Sequence, residues 1–292
     1  MTKNSAFRKS LLLILLTTTT IGCNLTSSQR NISGERFAET PKIDLKPNIK
    51  SKKISKPPWS DVSQYDEFVR STVDNYFASD MKEIYKFYNI KKDLPKYGFK
   101  QNSRQFVCFD CEGAVFKERE DSIYFYSTCL EELFVNFMNH FKNNKEDPRE
   151  ELTKRIHHYI KHEGAHDIYS KFGKEIGEKN LFKRITDNTP PLEVIQYTMV
   201  QEGVADYISY KGQLTESAKR FTDEDFKKMI EEKDDSQVYD FGALLVKGIL
   251  DIDLEKGIKE LIKNPLTKDD LNDLPAYRER IIANVLEEVE KE

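Results

Sequence analysis

The chain has little excess of one charge, little glycine or proline, and no long apolar run, and each shortage excludes a class of protein. Its 292 residues carry 46 Lys and Arg against 50 Asp and Glu, which gives a formal net charge of -4. This balance argues against a nucleic-acid binder, which would show a strong basic excess. With 12 Gly and 10 Pro, the sequence is neither collagen-like nor of low complexity. The apolar run near the start has about a dozen residues, too few to span a bilayer.

The first residues have the pattern of an export signal, in which basic residues precede the apolar run and a small residue stands before a cysteine. They are Lys3, Arg8 and Lys9, the run Leu11 to Leu16, and Gly22-Cys23. The pattern resembles the bacterial lipoprotein signal. The resemblance implies a signal peptide over residues 1–22, a lipidated Cys23 held in a lipid bilayer, and an extracytoplasmic domain at the bacterial cell envelope. Thr20 stands where the family usually has Leu, and a plain secretory signal and an uncleaved anchor are the alternatives.

The rest of the chain divides into a polar segment and a folded part. Residues 23–58 are rich in Ser, Lys, Asn and Pro and show no helical or strand period, which predicts a flexible tether. The folded part then covers residues 59–292, a length that suits a single domain. The sequence shows no internal repeat, and 18 Phe and 14 Tyr supply material for a core.

Apolar residues recur at three- and four-residue spacings over most of the folded part, which predicts mainly helices. The helices are expected over residues 61–88 with a break near Ser79-Asp80, 130–141, 148–172 with an end at Gly173, 189–212, 222–232, 239–252 and 277–288. β-forming residues predict strands over 104–116 and 122–127, joined by a charged turn at 117–121. The expected fold class is α+β, mainly helical, with a small β-sheet before the helix that begins at residue 148.

That helix carries the pattern His162-Glu163-Gly164-Ala165-His166, an HExxH motif. Residues i and i+4 lie on one helix face, so His162 and His166 can bind one metal ion from the same side. Glu163 is rotated by about 100° from His162 and can act as general base toward a metal-bound water. The alternative is a helix whose histidines are partly exposed or hydrogen-bonded to neighbours, since chance matches to so short a motif occur.

A second helix contains Glu202 and, four residues later, Asp206. HExxH followed by a helix with Glu-x-x-x-Asp resembles the gluzincin metallopeptidases. The resemblance implies one Zn²⁺ held by His162, His166 and Glu202, with Asp206 hydrogen-bonded to His162, in a zincin-like domain whose two helices run antiparallel. Thirty-five residues separate His166 from Glu202, a longer connection than many members have.

Two flanking features fit the same resemblance. Tyr239 begins a segment similar to one in zinc aminopeptidases, where the Tyr hydroxyl stabilises the oxyanion. Residues 122–127 are expected to form an edge strand that binds extended substrate through its backbone. Residues 113–116 only half resemble the Gly-Ala-Met-Glu-Asn segment of those aminopeptidases and lack its Glu, so aminopeptidase specificity is not inferred. The alternatives to Tyr239 are Tyr169, Tyr207 and Tyr210, or a structural tyrosine. His158, one turn before His162, is expected to support the site or lie at the surface, and a role as metal ligand is the alternative.

The cysteines are few and odd in number once Cys23 is assigned to the lipid anchor. If the two strands pair across the 117–121 turn, Cys111 and Cys129 come close, and a disulfide between them is expected in an oxidising compartment. A second metal site that adds Cys108, or three reduced buried cysteines, are the alternatives.

Together these features predict a membrane-anchored zinc metallopeptidase that cleaves peptide or protein substrates and has no nucleic-acid partner. A noncatalytic surface lipoprotein that keeps a peptidase fold, such as an adhesin, is the main rival. A secreted disulfide module with an accidental HExxH is a weaker one.

Overall fold

The computed structural model describes residues 62–101, 114–128, 148–182, 188–232 and 237–291. The predicted signal peptide and tether, the four cysteines, the helix expected over 130–141 and most of the strand expected over 104–116 lie outside the described residues. Over the described ranges, no helix combines the length and the apolar character needed to cross a membrane.

Helices make up most of the described chain. They are α1 (Val62–Phe87), α2 (Pro148–Glu175), α3 (Pro191–Ser209), α4 (Asp223–Glu232), α5 (Val238–Leu250), α6 (Leu254–Lys263) and α7 (Leu274–Glu290), with short 3-10 turns at Glu118–Glu120, Ala218–Arg220 and Asp270–Asn272. A small sheet lies between α1 and α2 in sequence. The predicted α+β class with mainly helical content is therefore confirmed.

The sheet has three strands: β1 (Lys96–Gln101), β2 (Ala114–Lys117) and β3 (Ser122–Thr128), in the order β1-β3-β2. β2 pairs antiparallel with β3 across the predicted charged turn, with Lys117 opposite Ser122. β1 pairs parallel with the other side of β3. The prediction that residues 122–127 form an edge strand is therefore wrong, because β3 lies between β1 and β2 in the described sheet. β1 escaped prediction because Gly98 and its lysines interrupt the β-forming pattern.

The helices differ from their predicted bounds by one to three residues at most ends, with shifts of three residues at the end of α3 and the start of α7. α1 runs without the break expected near Ser79-Asp80, because Asp80 is buried against α2 and accepts a hydrogen bond from His157. α2 continues two residues past Gly173 to Glu175. α6 was not predicted, although its apolar residues keep helical spacing and Asp253 caps it by accepting from the Lys256 N–H.

The core packs α1 against α2 at the glycine of the HExxH motif. A Cβ at Gly164 would lie 2.4 Å from Met81 Sδ and 3.2 Å from Ile84 Cδ1. Glycine in a helix interior costs about 1 kcal/mol relative to alanine. At position 164 the glycine lets α1 approach the side of α2 that faces away from His162 and His166.

A closer approach joins α3 to α5. A Cβ at Gly203 would lie 2.2 Å from the backbone carbon of Gly242, and one at Gly242 would lie 2.1 Å from the Met199 carbonyl oxygen. The two helices therefore cross with backbones in contact, which only glycine at both positions permits. This crossing brings Tyr239, one turn before Gly242, toward the helix that carries Glu202.

We expect Gly203→Ala to lower the free energy of unfolding by about 3 kcal/mol, because the new methyl group overlaps backbone that cannot move aside. Gly248→Ala in the partner helix α5 is the control: the nearest atoms to its new Cβ are 3.8 and 4.0 Å away, so it should be neutral or stabilising by about 0.5–1 kcal/mol. Urea denaturation measures both. Equal effects at the two positions would contradict the backbone contact.

Candidate metal centre

Helices α2 and α3 bring three predicted ligands to one point. His162 Nε2 lies 3.0 Å and His166 Nε2 3.3 Å from the same Glu202 oxygen, Oε2. One nitrogen or oxygen from each of these side chains lies within 4.8 Å of the others. The structure therefore has a group of side chains that could hold a metal ion, as the sequence predicted.

The register between the two helices also places Asp206 as predicted. Its Oδ1 lies 3.0 Å from His162 Nδ1. His162 contacts Asp206, whereas His166, four residues later on α2, contacts Glu202, which lies four residues earlier on α3. The two helices therefore run antiparallel, and the four-residue spacing in each keeps its two side chains on the shared face.

The donor set suits a cation. Because Asp206 accepts from Nδ1, a neutral His162 carries its proton there and turns the Nε2 lone pair toward Glu202. In that state the lone pairs of His162 Nε2 and the Glu202 carboxylate repel one another unless a proton or a metal cation lies between them. Two histidines and one glutamate are a donor set that Zn²⁺ takes in catalytic sites with three protein ligands.

The pKa values of His162 and Glu202 reflect the same close approach of these side chains. Burial by itself lowers the pKa of His162, but its hydrogen bonds to Asp206 and Glu202 raise that pKa well above its ordinary value. Burial raises the pKa of Glu202, but His166 and His162 together hold it far below its ordinary value. The site thus favours a proton when no metal is bound, so metal affinity should fall as the pH falls.

Glu163 lies between these ligands and the sheet. It is 5% exposed, and its Oε2 accepts a hydrogen bond of 2.6 Å from the Phe116 N–H of β2. Backbone groups along an antiparallel strand point alternately toward and away from the partner strand, so this N–H lies on the side of β2 away from β3. The predicted general base is therefore held in place by the edge strand.

Of the four tyrosines considered, Tyr239 and Tyr210 lie nearest the site. The Tyr239 ring centroid is 5.9 Å from that of His162, and the Tyr210 ring lies 5.1 Å from that of His158. Tyr207 donates to Asp251 at 2.8 Å instead. Tyr169 packs against Phe182. The structure thus places Tyr239 beside a ligand, while its role stays a prediction.

His158 lies beside the candidate metal centre, which is one of the positions expected for it. With His162 and Asp206 it forms a second group of possible ligands within 4.8 Å, and its ring lies 5.6 Å from that of His162. Burial, and then the charge of His162, lowers the pKa of His158 to about 4. His158 is therefore neutral at neutral pH and lines the side of the His162–Asp206 pair.

Phe182 was missed by the sequence analysis. It lies in the connection between α2 and α3, and its ring packs edge-on against His166 at 5.4 Å and against Phe116 at 5.8 Å. The buried Nδ1 of His166 has no hydrogen-bond partner within the described ranges. Aromatic packing therefore holds the His166 ring in place, whereas a hydrogen bond to Asp206 holds the His162 ring. No motif in the connection could have revealed that contact.

Comparison of the chain with known protein families, curated proteins and solved structures finds no match.

We expect Asp206→Asn to weaken metal binding by about tenfold or more, because the neutral amide no longer raises the basicity of His162. Asp80→Asn is the matched control, since Asp80 forms the other buried Asp–His pair, with His157, away from the ligands. Competition with a chelator at neutral pH measures both affinities. An equal loss in the two variants would indicate general destabilisation rather than a role for Asp206.

Proposed function

We propose that the protein is a zinc-dependent peptidase of the gluzincin type, with a zincin-like fold. The observation that carries the proposal is the convergence of His162, His166 and Glu202 next to Glu163, which the Phe116 N–H of β2 holds in place. A metal-binding helix pair alone is compatible with many functions. A carboxylate fixed beside the ligands, where it can act as a general base, favours hydrolysis.

The three ligands would hold Zn²⁺ and leave one position open. When bound, Zn²⁺ lowers the pKa of water toward ~7 and polarises a carbonyl group. The Phe116 N–H occupies Oε2 of Glu163, which leaves Oε1 as the atom that would accept a proton from water. The same oxygen would then return that proton to the nitrogen of the leaving amine as the C–N bond breaks.

β2 is an edge strand of the described sheet and lies beside Glu163. Alternation along the strand turns the N–H and C=O groups of Ala114 and Phe116 away from β3. The Phe116 N–H already donates to Glu163, and Ala114 is 1% exposed, so this edge is not free to pair with a substrate. The substrate-binding role expected for residues 122–127 is therefore not transferred to β2.

Tyr239 is the proposed oxyanion donor, because its ring lies beside His162 and on the other side of the ligands from Phe182. Anchorage of the domain to a membrane through Cys23 stays a prediction from the first residues of the chain.

Glu163→Gln should keep metal affinity and lose hydrolysis by a factor on the order of 10²–10⁴, because the amide still accepts the Phe116 N–H but takes no proton. Glu150→Gln, on the exposed first turn of the same helix, is the control and should hydrolyse at the normal rate. Zinc content and peptide cleavage are measured on the same preparations. Full hydrolysis by Glu163→Gln with zinc bound would exclude Glu163 as the base.

Tyr239→Phe should lower kcat by a factor on the order of 10² with little change in KM, because the hydroxyl acts only on the charge that develops in the transition state. Tyr210→Phe removes the hydroxyl of the neighbouring tyrosine and should leave kcat nearly unchanged. Steady-state kinetics on one peptide compares them. A larger loss of kcat in Tyr210→Phe would assign the oxyanion role to Tyr210 instead of Tyr239.

A further inference from the structure

The face of α2 that carries the candidate ligands has three histidines in a row. His158, His162 and His166 follow one another at intervals of four residues, so each lies about one helical turn from the next on the same side of the helix. His162 is the middle one and has a neighbouring histidine in each direction. Each of the two neighbouring pairs could therefore bind an ion.

α3 supplies one carboxylate for each pair. Glu202 groups with His162 and His166, and one donor atom of each lies within 4.8 Å of the others. Asp206 groups with His158 and His162 within the same distance. Because the two helices run antiparallel, one turn back along α2 corresponds to one turn forward along α3. The second group therefore repeats the first, with two histidines four residues apart and one carboxylate opposite them.

The ring of His162 faces both groups, one through each nitrogen. Its Nε2 lies 3.0 Å from Glu202 Oε2, and its Nδ1 lies 3.0 Å from Asp206 Oδ1. A neutral imidazole has one protonated nitrogen and one lone pair. When Nδ1 carries the proton, the lone pair faces the first group. When Nε2 carries it, that N–H donates to Glu202 and the lone pair faces the second group, so a neutral His162 completes one group at a time.

His158 is available as a ligand for the second group. Within the described ranges its side chain makes no hydrogen bond, whereas His157, the residue before it, is bonded to Asp80 of α1. The His158 ring lies 5.1 Å from that of Tyr210 and 5.6 Å from that of His162, measured between centroids. A partly buried imidazole without a hydrogen bond keeps its lone pair for another partner.

We propose that His158, His162 Nδ1 and Asp206 form a second position for a divalent cation such as Zn²⁺, occupied in exchange for the first. Two imidazoles and a carboxylate suit Zn²⁺ at either position. The two groups are centred four residues, or about 6 Å, apart along α2. Rotation along the helix places Glu163 about 60° from His166 but about 140° from His158. An ion in the second position therefore lies away from the proposed general base and supports no hydrolysis.

This inference rests on the metal binding in the proposed function, and its test measures zinc binding by the full chain. His166→Ala breaks the first group and leaves the second complete, so it should still bind one zinc ion in competition with a chelator. Adding His158→Ala should lower that affinity by more than about 100-fold, beyond the loss that removing an outer partner of a ligand causes. His157→Gln added instead is the matched control and should leave the affinity nearly unchanged, because His157 bonds to Asp80.

Nitrogen-15 NMR of the histidine rings gives a second measurement that needs no double variant. It shows which nitrogen of His162 carries the proton and which binds the metal. We expect zinc on Nε2 in the unaltered chain, and zinc on Nδ1 with a proton on Nε2 in His166→Ala. The unaltered chain should bind one ion. Glu202→Gln also breaks the first group and replaces His166→Ala in both measurements if that variant does not fold.

Loss of zinc binding when the first group is broken, equal effects of His158→Ala and His157→Gln in that background, or zinc on Nε2 there would overturn the second position. Two ions bound to the unaltered chain would overturn the exchange between positions, and with it the proposal. An unaltered chain that binds no zinc would overturn both this proposal and the proposed function. Zinc binding that moves between the nitrogens as expected, without peptide cleavage by the unaltered chain, would support the second position and overturn the proposed hydrolysis.

Discussion

The contact between the backbones of α3 and α5 at Gly203 and Gly242 is the constraint on which the site depends. It brings the backbones of the two helices into contact. Tyr239, one turn before Gly242, then lies beside His162, which Glu202 of α3 also contacts. Further along the same pair of helices, Tyr207 of α3 donates to Asp251 just past α5. The crossing is therefore fixed at two points, and Glu202 adjoins the first of them.

The polar groups at the centre of the molecule are held there against the cost of removing them from water. His162 and Asp206 form one buried pair, and the charges around Glu202 are balanced only by a cation. On another face of α2, Asp167 accepts from Tyr85 at 2.5 Å and from Lys171 at 2.7 Å. α2 is thus tied to α1 by one polar cluster and to α3 by another, which holds its register between them.

Local pattern was enough for most helices, for the turn between β2 and β3, and for the ligands. Each depends on spacings of three or four residues or on a short charged run, and such spacings survive in any fold that buries the same faces. β1 and the central position of β3 were not predictable in this way, because strand order depends on pairing between distant segments. Glycine at position 164 is unfavourable for an isolated helix, and only the contact with Met81 of α1 explains it.

The sequence by itself determined which side chains form the candidate metal centre, because a helix of known period places residues four apart on one face. It also determined the α+β class, because the periodic segments are mostly long enough for helices. Only the tertiary structure decided that the Phe116 N–H of β2 holds Glu163, that Leu181 bonds to Glu118, and that Phe182 packs against His166. These contacts join segments whose separation in the chain carries no period. Their positions follow from how the helices and the sheet pack together, which no local pattern encodes.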